Sequence, residues 1–190
     1  MRLFFAIEPD AQARAAIGAA LRDAASALGP DAAGIRWVHT DGVHLTLHFL
    51  GEVDEVRARA LADALRAPFA GAPFEVRLDR FGVFPPTGPP RTVWLGAGKG
   101  AEDTRRVYEE IGRRLTALDF AIEPRPFTPH LTVGRVRDSS GRRVRRLREM
   151  LASAPTPSIA WVVDRATLFT SDLTGPRPRY EALGNLELGT

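Results

Sequence analysis

The hydrophobic and polar positions of this chain follow two different periods, which predict a mixture of strands and helices. Apolar residues that alternate with polar ones, or that form a short continuous run, predict strands, whereas apolar residues three and four positions apart predict helices. Strands are predicted over residues 3–7, 35–38, 44–51, 74–84, 91–95, 130–133, 159–170 and 179–188. Helices are predicted over residues 10–28, 54–67, 102–118 and 141–152.

Turn and capping residues set the limits of these elements. Asp10 and Asp54 stand before the first two predicted helices, where a carboxylate accepts a backbone N–H. Gly29 and Pro30 end the first helix, and the proline-rich segment 85–90 predicts a loop that pairs with no strand. The second helix is expected to bury one apolar stripe, formed by Val56, Leu61 and Leu65.

The order of the elements predicts the fold class. Each half of the chain carries two helices and one strand that begins with a histidine, and no linker or low-complexity segment divides the halves. This layout favours a duplicated α+β unit with a central cleft over a doubly wound parallel sheet. We expect a single bilobal domain over residues 1–190.

The composition excludes several classes of protein. A chain of this size buries about 70% of its unfolded surface and needs no covalent staples. Cysteine is absent, which excludes a disulfide framework and thiolate metal sites. The apolar run over residues 3–7 is too short for a signal peptide, and no segment approaches the ~20 apolar residues of a membrane span. We therefore expect a soluble, cytoplasmic monomer.

One four-residue pattern occurs twice and organises the chain. It reads His44-Leu45-Thr46-Leu47 and again His130-Leu131-Thr132-Val133, in a chain with only 4 histidines. In each copy the histidine and the threonine share one strand face, and the apolar residues share the other. The pattern therefore predicts two strands that each present a histidine and a threonine into one shared cleft.

Two imidazoles and two hydroxyls suit acid–base chemistry on a phosphate. Hydrolysis of a phosphodiester, such as a 2′,3′-cyclic phosphate, needs a deprotonated water on one side and a protonated leaving oxygen on the other. With an ordinary pKa near ~6.5, His44 and His130 can supply one neutral and one protonated ring, and each proton transfer contributes ~10²–10⁴ in rate. The hydroxyls of Thr46 and Thr132 can donate to the non-bridging oxygens. This set requires no metal and no cofactor.

The other two histidines receive different interpretations. Strict alternation places His48 on the face of His44 and leaves Phe49 on the opposite face, so we expect His48 to support the cleft or contact a substrate. His39 follows a short strand and is expected at the surface. The spacing of His44 and His48 would suit a metal on a helix, but this segment alternates like a strand, and no carboxylate cluster lies nearby.

The segments around both motifs resemble a known superfamily. The resemblance covers residues 2–7, 36–38, 44–51, 93–96 and 125–135. By these segments the chain is similar to the 2H phosphoesterases, named for two His-x-Thr-x motifs, and within them to the RNA 2′,3′-cyclic phosphodiesterases of the LigT type, also called 2′-5′ RNA ligases. The resemblance implies a bilobal α+β fold with pseudo-two-fold symmetry, in which antiparallel sheets line a central cleft and helices lie outside.

The same resemblance implies an activity and the roles of three residues. The activity is metal-independent opening of a 2′,3′-cyclic phosphate at an RNA end to leave a 2′-phosphate, with a weaker, reversible 2′-5′ ligation. His44 resembles the general acid and His130 the base. Arg135 resembles an arginine that contacts the phosphate, although strict alternation from His130 puts it on the wrong face, so a bulge near Gly134 is required to turn it back.

Several alternatives remain open on the sequence alone. The same histidine pair would suit a small cyclic phosphate, such as a cyclic ADP-ribose phosphate or a cyclic nucleotide, and the fold would also suit a non-catalytic module that binds RNA ends. Phe5, Trp37 and Phe127 are candidates either for the core or for stacking a terminal base. The helix predicted over 141–152 is either a solvated face or a track for an RNA backbone. Its basic residues are Arg142, Arg143, Arg145, Arg146 and Arg148.

Overall fold

The structure is a computed structural model that describes residues 1–65, 67–137, 142–172, 174–175 and 178–189, without the side chains of residues 142–145. The helices over these residues are α1 (Ala11–Leu28), α2 (Glu55–Ala64), α3 (Ala101–Ala117) and α4 (Arg142–Ala152). The strands are β1 (Arg2–Ile7), β2 (Ile35–Trp37), β3 (Leu45–Glu52), β4 (Phe69–Ala70), β5 (Phe74–Phe84), β6 (Thr92–Ala97), β7 (His130–Val136), β8 (Ile159–Val163), β9 (Arg165–Asp172) and β10 (Arg179–Gly189).

Two five-stranded sheets organise these elements. The first sheet has the strand order β3-β1-β9-β10-β4, and the second has the order β2-β7-β6-β5-β8. Every strand pair is antiparallel except that of β10 with the short β4. Helices α2 and α3 pack on the first sheet, and α1 and α4 pack on the second; we call these units the first lobe and the second lobe. The predicted α+β class is confirmed.

The two lobes are interleaved along the chain, whereas the sequence predicted one lobe in each half. The single strand predicted over 159–170 is wrong, because the chain leaves β8 in the second sheet and enters β9 in the first sheet at Asp164. Asp164 and Arg165 are consecutive polar residues, and their side chains form an ion pair of 2.9 Å at this crossing. Because apolar residues lie on both sides of Asp164 and Arg165, the segment has the pattern of one continuous strand.

The predicted helix caps are confirmed, whereas one predicted stripe is wrong. The carboxylate of Asp10 accepts the N–H of Ala13 at 2.7 Å, and that of Asp54 accepts the N–H of Arg57 at 2.9 Å. Val56 was expected inside α2, but it is 79% exposed. It lies five residues before Leu61 and therefore off the helical stripe, which consists of Ala58, Leu61 and Leu65.

Each sheet buries one face against its helices and leaves the other face to a cleft. On β1 the core-side residues Leu3, Phe5 and Ile7 are all at most 2% exposed. Phe4 and Ala6 point the other way and form a separate apolar cluster on what we call the cleft face. Strands β3 and β7 lie beside each other, so the cleft faces of the two lobes meet along them. Among the described residues, no helix has the length and apolar character needed to cross a membrane.

Candidate active site

A bulge in β3 reverses the faces of its later residues. Thr46 pairs with Ala6 of β1, and the next pair joins His48 to Phe5, so Leu47 has no partner across the ladder. Directly opposed residues share a face of a sheet. Thr46 therefore lies on the cleft face as predicted. His48 lies on the core side and is only 3% exposed, so the prediction that it faces the cleft is wrong.

The same bulge turns an aromatic side chain toward the cleft. Phe49 pairs with Phe4, whose ring lies on the cleft face. The two ring centroids are 6.1 Å apart, and Phe49 is 74% exposed. Alternation placed Phe49 on the apolar face of the strand, so the sequence analysis missed it as a candidate for the cleft.

The second motif strand carries a bulge at the corresponding position. In β7, Thr132 pairs with Trp94 of β6 and Gly134 pairs with Val93, so Val133 has no partner. Thr132 shares the cleft face with Trp94, while Gly134 packs toward the core. In both motifs the bulged residue is the fourth of the pattern, immediately after the threonine.

The bulge at Val133 determines which face of β7 carries the Arg135 side chain. Arg135 pairs with Thr92 of β6 on one side and with Arg36 of β2 on the other. Because Gly134 faces the core, Arg135 faces the cleft. The structure therefore contains the irregularity that the phosphate-ligand hypothesis required, and Arg135 lies on the same face as Thr132.

The first motif histidine is held by a backbone carbonyl and two aromatic rings. Nδ1 of His44 lies 2.9 Å from the carbonyl oxygen of Gly42. The ring of Phe4 lies 4.8 Å away, and that of Tyr180 lies 5.2 Å away at 88°, in an edge contact. A Cβ at Gly42 would come within 3.3 Å of the Tyr180 ring, so this turn approaches Tyr180 more closely than most side chains allow. A cavity of about 220 Å³ opens beside His44 and Tyr180.

The second motif histidine is held in the same way. Nδ1 of His130 lies 2.7 Å from the carbonyl oxygen of Thr128. The ring of Phe84 meets it edge-on, with centroids 4.9 Å apart at 85°, and Trp94 lies 6.2 Å away. Each motif histidine is thus anchored to the carbonyl two residues before it and flanked by two aromatic side chains.

These anchors leave the same ring atom available in both histidines. A backbone carbonyl only accepts hydrogen bonds, so the hydrogen-bond pattern assigns the proton to Nδ1 of His44 and of His130. Nε2 then accepts a proton when the ring is neutral and donates one when the ring is charged. Each lobe therefore contributes one histidine whose Nε2 atom is not used by the backbone anchor.

Burial sets the charge of both rings. Desolvation lowers the pKa of His44 and of His130 below the ordinary value of 6.5, and the carbonyl hydrogen bond of each ring opposes this effect in part. Both rings therefore favour the neutral form at neutral pH. An anion bound between them would favour the charged form and raise the pKa of either ring.

Arg135 and Tyr180 link the two walls of the cleft electrostatically. Burial raises the pKa of the Tyr180 hydroxyl, and the positive charge of Arg135 lowers it. Tyr180 belongs to β10 in the first lobe and Arg135 to β7 in the second. The field of the cation therefore reaches the aromatic group beside His44, on the opposite wall.

The predicted candidates for base stacking all pack against other parts of the protein. Phe5 is fully buried in the core, and the partly buried Trp37 packs against the same core cluster. Phe127 stacks on Tyr108 of α3 with centroids 4.2 Å apart. Among the described residues, the aromatic side chains on the cleft face are instead those of Phe4, Phe49, Phe84, Trp94, Phe169 and Tyr180. Periodicity could not identify them, because their faces depend on the register between strands.

The other basic and histidine candidates have simpler surroundings. His39 is exposed, as expected. Arg148 of α4 donates to the carbonyls of Pro85 and Gly88 at 2.9 and 3.0 Å, so it secures the proline-rich loop. The side chains of Arg142, Arg143 and Arg145, which the sequence offered as part of an RNA track, lie outside the described residues. The described residues contain no group of three or more His, Cys, Asp or Glu placed to hold a metal ion.

Known proteins resemble this chain in both sequence and fold. A family model described as the 2′-5′ RNA ligase superfamily matches residues 9–175. A Thermotoga maritima protein named RNA 2′,3′-cyclic phosphodiesterase is 34% identical over 151 residues, which cover 79% of this chain and 78% of that protein. An Aeropyrum pernix protein of the same name is 36% identical over 151 residues, which cover 78% of this chain and 84% of that protein.

A solved structure matches the whole architecture. The crystal structure of E. coli LigT complexed with 3′-AMP superposes with a TM-score of 0.77. The two sequences are 29% identical, and the alignment covers 100% of this chain and 98% of that one. The interleaved two-lobe fold is therefore shared over its full length.

Proposed function

This chain belongs to the 2′-5′ RNA ligase superfamily, and from that membership we propose that it hydrolyses the 2′,3′-cyclic phosphate at RNA 3′ ends to leave a 2′-phosphate. The T. maritima and A. pernix relatives are named for this activity. The observation that carries the mechanism is the matched anchoring of His44 and His130, because it presents one Nε2 atom from each wall of the cleft.

In the forward reaction the two histidines move one proton each. Nε2 of His130 takes a proton from water as the water oxygen forms a bond to phosphorus. The bond between phosphorus and the 3′ oxygen breaks, and the Nε2 proton of His44 passes to that oxygen. The products are a 2′-phosphomonoester and a free 3′ hydroxyl, with His44 neutral and His130 charged. Proton exchange with solvent restores the starting state.

Three further side chains act on the phosphate itself. The hydroxyls of Thr46 and Thr132 donate to the non-bridging oxygens, which gain negative charge in the transition state. The guanidinium of Arg135 opposes the same charge from the second lobe. The phosphate charge in turn raises the pKa of the imidazole that must carry the proton, so substrate binding prepares the acid.

Ligation follows from the same step with a different nucleophile. If a 5′ hydroxyl of a second RNA replaces water, His130 deprotonates it, and attack on the cyclic phosphate forms a 2′-5′ linkage. The reverse of that step needs His44 as base and His130 as acid, since acid and base exchange roles when a reaction runs backwards. We propose this as a weaker second activity of the same site.

The proposed enzyme is metal-free, monomeric and cytoplasmic. The two imidazoles supply both proton transfers, so the proposed chemistry leaves no step for a metal. One chain provides both walls of the site, with His44 from the first lobe and His130 from the second, which supports residues 1–190 acting as one unit without a second copy.

Turnover of a short RNA that ends in a 2′,3′-cyclic phosphate, measured in EDTA, tests the proposal. The wild type is expected to release only the 2′-phosphate, while His44→Ala and His130→Ala are each expected to lose ~10²–10⁴ in rate but still bind RNA. If wild-type activity needs added metal, the two-histidine mechanism fails. If only small cyclic nucleotides are turned over, the RNA substrate is wrong, and if no cyclic phosphate is turned over, the chain is a binding module.

A further inference from the structure

Three arginines share the cleft face at the corner where β2 joins β7. Arg36 of β2 and Arg135 of β7 are directly opposed partners. Their strand neighbours Ile35 and Gly134 face the core, where a Cβ at Gly134 would lie 2.7 Å from Cγ2 of Ile35. Arg36 and Arg135 therefore point to the cleft face, and the exposed Arg137 returns to that face two residues later. We call Arg36, Arg135 and Arg137 the arginine row.

No described residue neutralises the charges of the arginine row. Within the described part of the chain, none of the three forms an ion pair or a side-chain hydrogen bond. Elsewhere, Arg113 and Arg114 of α3 both pair with the carboxylate of Glu110. Like charges directly opposite each other destabilise a sheet. An anion between the arginines would remove this repulsion, so the row is suited to a polyanion.

The arginine row begins beside the reacting phosphate and leads away from it. Along the cleft face of β7 the order is His130, Thr132 and Arg135. Arg137 follows directly after the strand, where its N–H still donates to the carbonyl of Gly34 at 2.9 Å. Residues two apart on a strand lie ~7 Å from each other. A phosphate held by Arg137 and Arg36 is therefore separate from the one held between the histidines, at about the distance of the next phosphate along an RNA strand.

We propose that Arg36 and Arg137 bind the phosphodiester immediately 5′ of the cyclic phosphate. This inference rests on the proposed function, because it extends the same site by one nucleotide. Arg135 lies between the two subsites and serves the reacting phosphate. The consequence is selectivity: the protein prefers the end of an RNA chain over a nucleoside 2′,3′-cyclic phosphate, which has no upstream phosphate.

Three substrates isolate the contribution of the upstream phosphate. The first is a nucleoside 2′,3′-cyclic phosphate, the second is a dinucleotide with the same cyclic end, and the third is that dinucleotide with an uncharged methylphosphonate linkage. We expect kcat/KM of the wild type to be highest for the charged dinucleotide. Arg36→Gln and Arg137→Gln should each lower the ratio of dinucleotide to mononucleotide kcat/KM by about tenfold, and the double variant should equalise the three substrates.

A matched control separates this effect from general charge. Arg59→Gln on α2 removes one positive charge from an arginine whose side chain is 77% exposed, and it should leave the substrate ratio unchanged. The salt dependence gives a second readout, because each lost phosphate contact should lower the slope of log affinity against log salt by about 0.7. A double variant that keeps the wild-type substrate ratio and salt slope would overturn the proposal.

The outcome also distinguishes this proposal from the proposed function. If the wild type turns over the mononucleotide and the charged dinucleotide equally well, the activity stands and the upstream subsite is wrong. If it turns over none of the substrates, the proposed function fails. Equilibrium binding of the charged and methylphosphonate dinucleotides to wild type and double variant then decides the subsite, since only the wild type should favour the charged linkage.

Discussion

The two motif strands share one backbone design and differ at the two positions after the bulge. In both, the bulge sends the next residue to the core and the following residue to the cleft. The first lobe places His48 and Phe49 at these positions, and the second places Gly134 and Arg135. The shared part presents one histidine from each lobe, which we propose as the acid–base pair. The divergent part adds the exposed Phe49 ring to the wall of the first lobe and the Arg135 guanidinium to the wall of the second; we call these the aromatic wall and the cationic wall.

This difference gives the cleft a direction. A nucleotide has an apolar base at one end and a charged phosphate at the other. With the exposed ring of Phe49 on one wall and the guanidinium of Arg135 on the other, a nucleotide whose base stacks on Phe49 and whose phosphate contacts Arg135 lies in one orientation. In the proposed mechanism, that orientation decides which histidine meets the leaving oxygen, so two histidines with matched anchors hold different roles.

The two core-facing positions, His48 and Gly134, carry different residues because different elements pack against them. Above His48 lies α3: the His48 ring stacks on Tyr108 at 4.0 Å, and its Nε2 donates to the Tyr108 carbonyl at 2.8 Å. Beside Gly134 in the same sheet lies β2, whose Ile35 side chain fills the space that a side chain at position 134 would need. A helix leaves room for an imidazole, whereas an added strand leaves room only for glycine.

The largest expected effect tests the shared part of the comparison. His44→Ala and His130→Ala should each lower kcat on a cyclic phosphate by ~10²–10⁴, since each removes one proton transfer. A substrate with sulfur in place of the 3′ oxygen separates the roles, because a thiolate leaves without a proton. His44→Ala should recover on the sulfur substrate and His130→Ala should not; recovery of His130→Ala instead would reverse the assignment.

The next largest effect tests the cationic wall. Arg135→Gln should lower kcat by about 10²–10³, because it removes a donor aimed at the charge that develops on the phosphate. Arg135→Lys should recover only part of the loss, since an ammonium lacks the bidentate fork. Steady-state kinetics on a nucleoside 2′,3′-cyclic phosphate measure this effect free of upstream contacts. A change confined to KM would mean that Arg135 only attracts the substrate.

The two bulges set the limit of what the sequence predicts about this site. The repeated pattern places His44, Thr46, His130 and Thr132 correctly, because all four precede the bulged residues. After each bulge, alternation predicts the wrong face. In the first motif it predicted that His48 faces the cleft and Phe49 the opposite side, whereas the structure shows the reverse. Leucine and valine at the bulged positions look like ordinary strand residues, and only the register with β1 and β6 reveals that they lack partners.

The fold shows the same limit of local patterns. Caps such as Asp10 are local features, and the sequence predicts them well. The crossing at Asp164 is not local, because β8 and β9 belong to different sheets although only one residue separates them. The two-lobe architecture was predicted from repeated motifs, but which strands join which lobe depends on partners far away in the chain.

A smaller effect tests the aromatic wall. Phe49→Leu should raise KM by about 5- to 150-fold, as loss of one base stack costs ~1–3 kcal/mol, and it should leave kcat nearly unchanged. Phe49→Trp should keep the wild-type KM. Val56→Ala is the control, because Val56 is another exposed apolar side chain, on α2. The effect should vanish on ribose 2′,3′-cyclic phosphate, which has no base; a persistent effect there would exclude stacking.

A stability difference tests the second core position. Gly134→Ala should lower the free energy of unfolding by about 1–3 kcal/mol, because the new methyl group would overlap Ile35 of β2. Neither Ala nor Gly titrates, so the loss should be the same at every pH. Urea unfolding at pH 5 and pH 8 measures it, and an unchanged midpoint would show that β2 moves aside without cost.

The corresponding position in the first lobe should behave differently with pH. Burial lowers the pKa of His48 below its ordinary value of 6.5, and the Tyr108 carbonyl opposes this in part. The unfolded chain therefore binds more protons than the folded one below pH 6.5, so His48 costs stability as the pH falls. His48→Leu loses the carbonyl hydrogen bond, worth ~1 kcal/mol, but it also removes this titration. Its deficit relative to wild type should be largest at pH 8 and shrink toward pH 5, whereas a constant deficit would place the pH dependence in His44 and His130 alone.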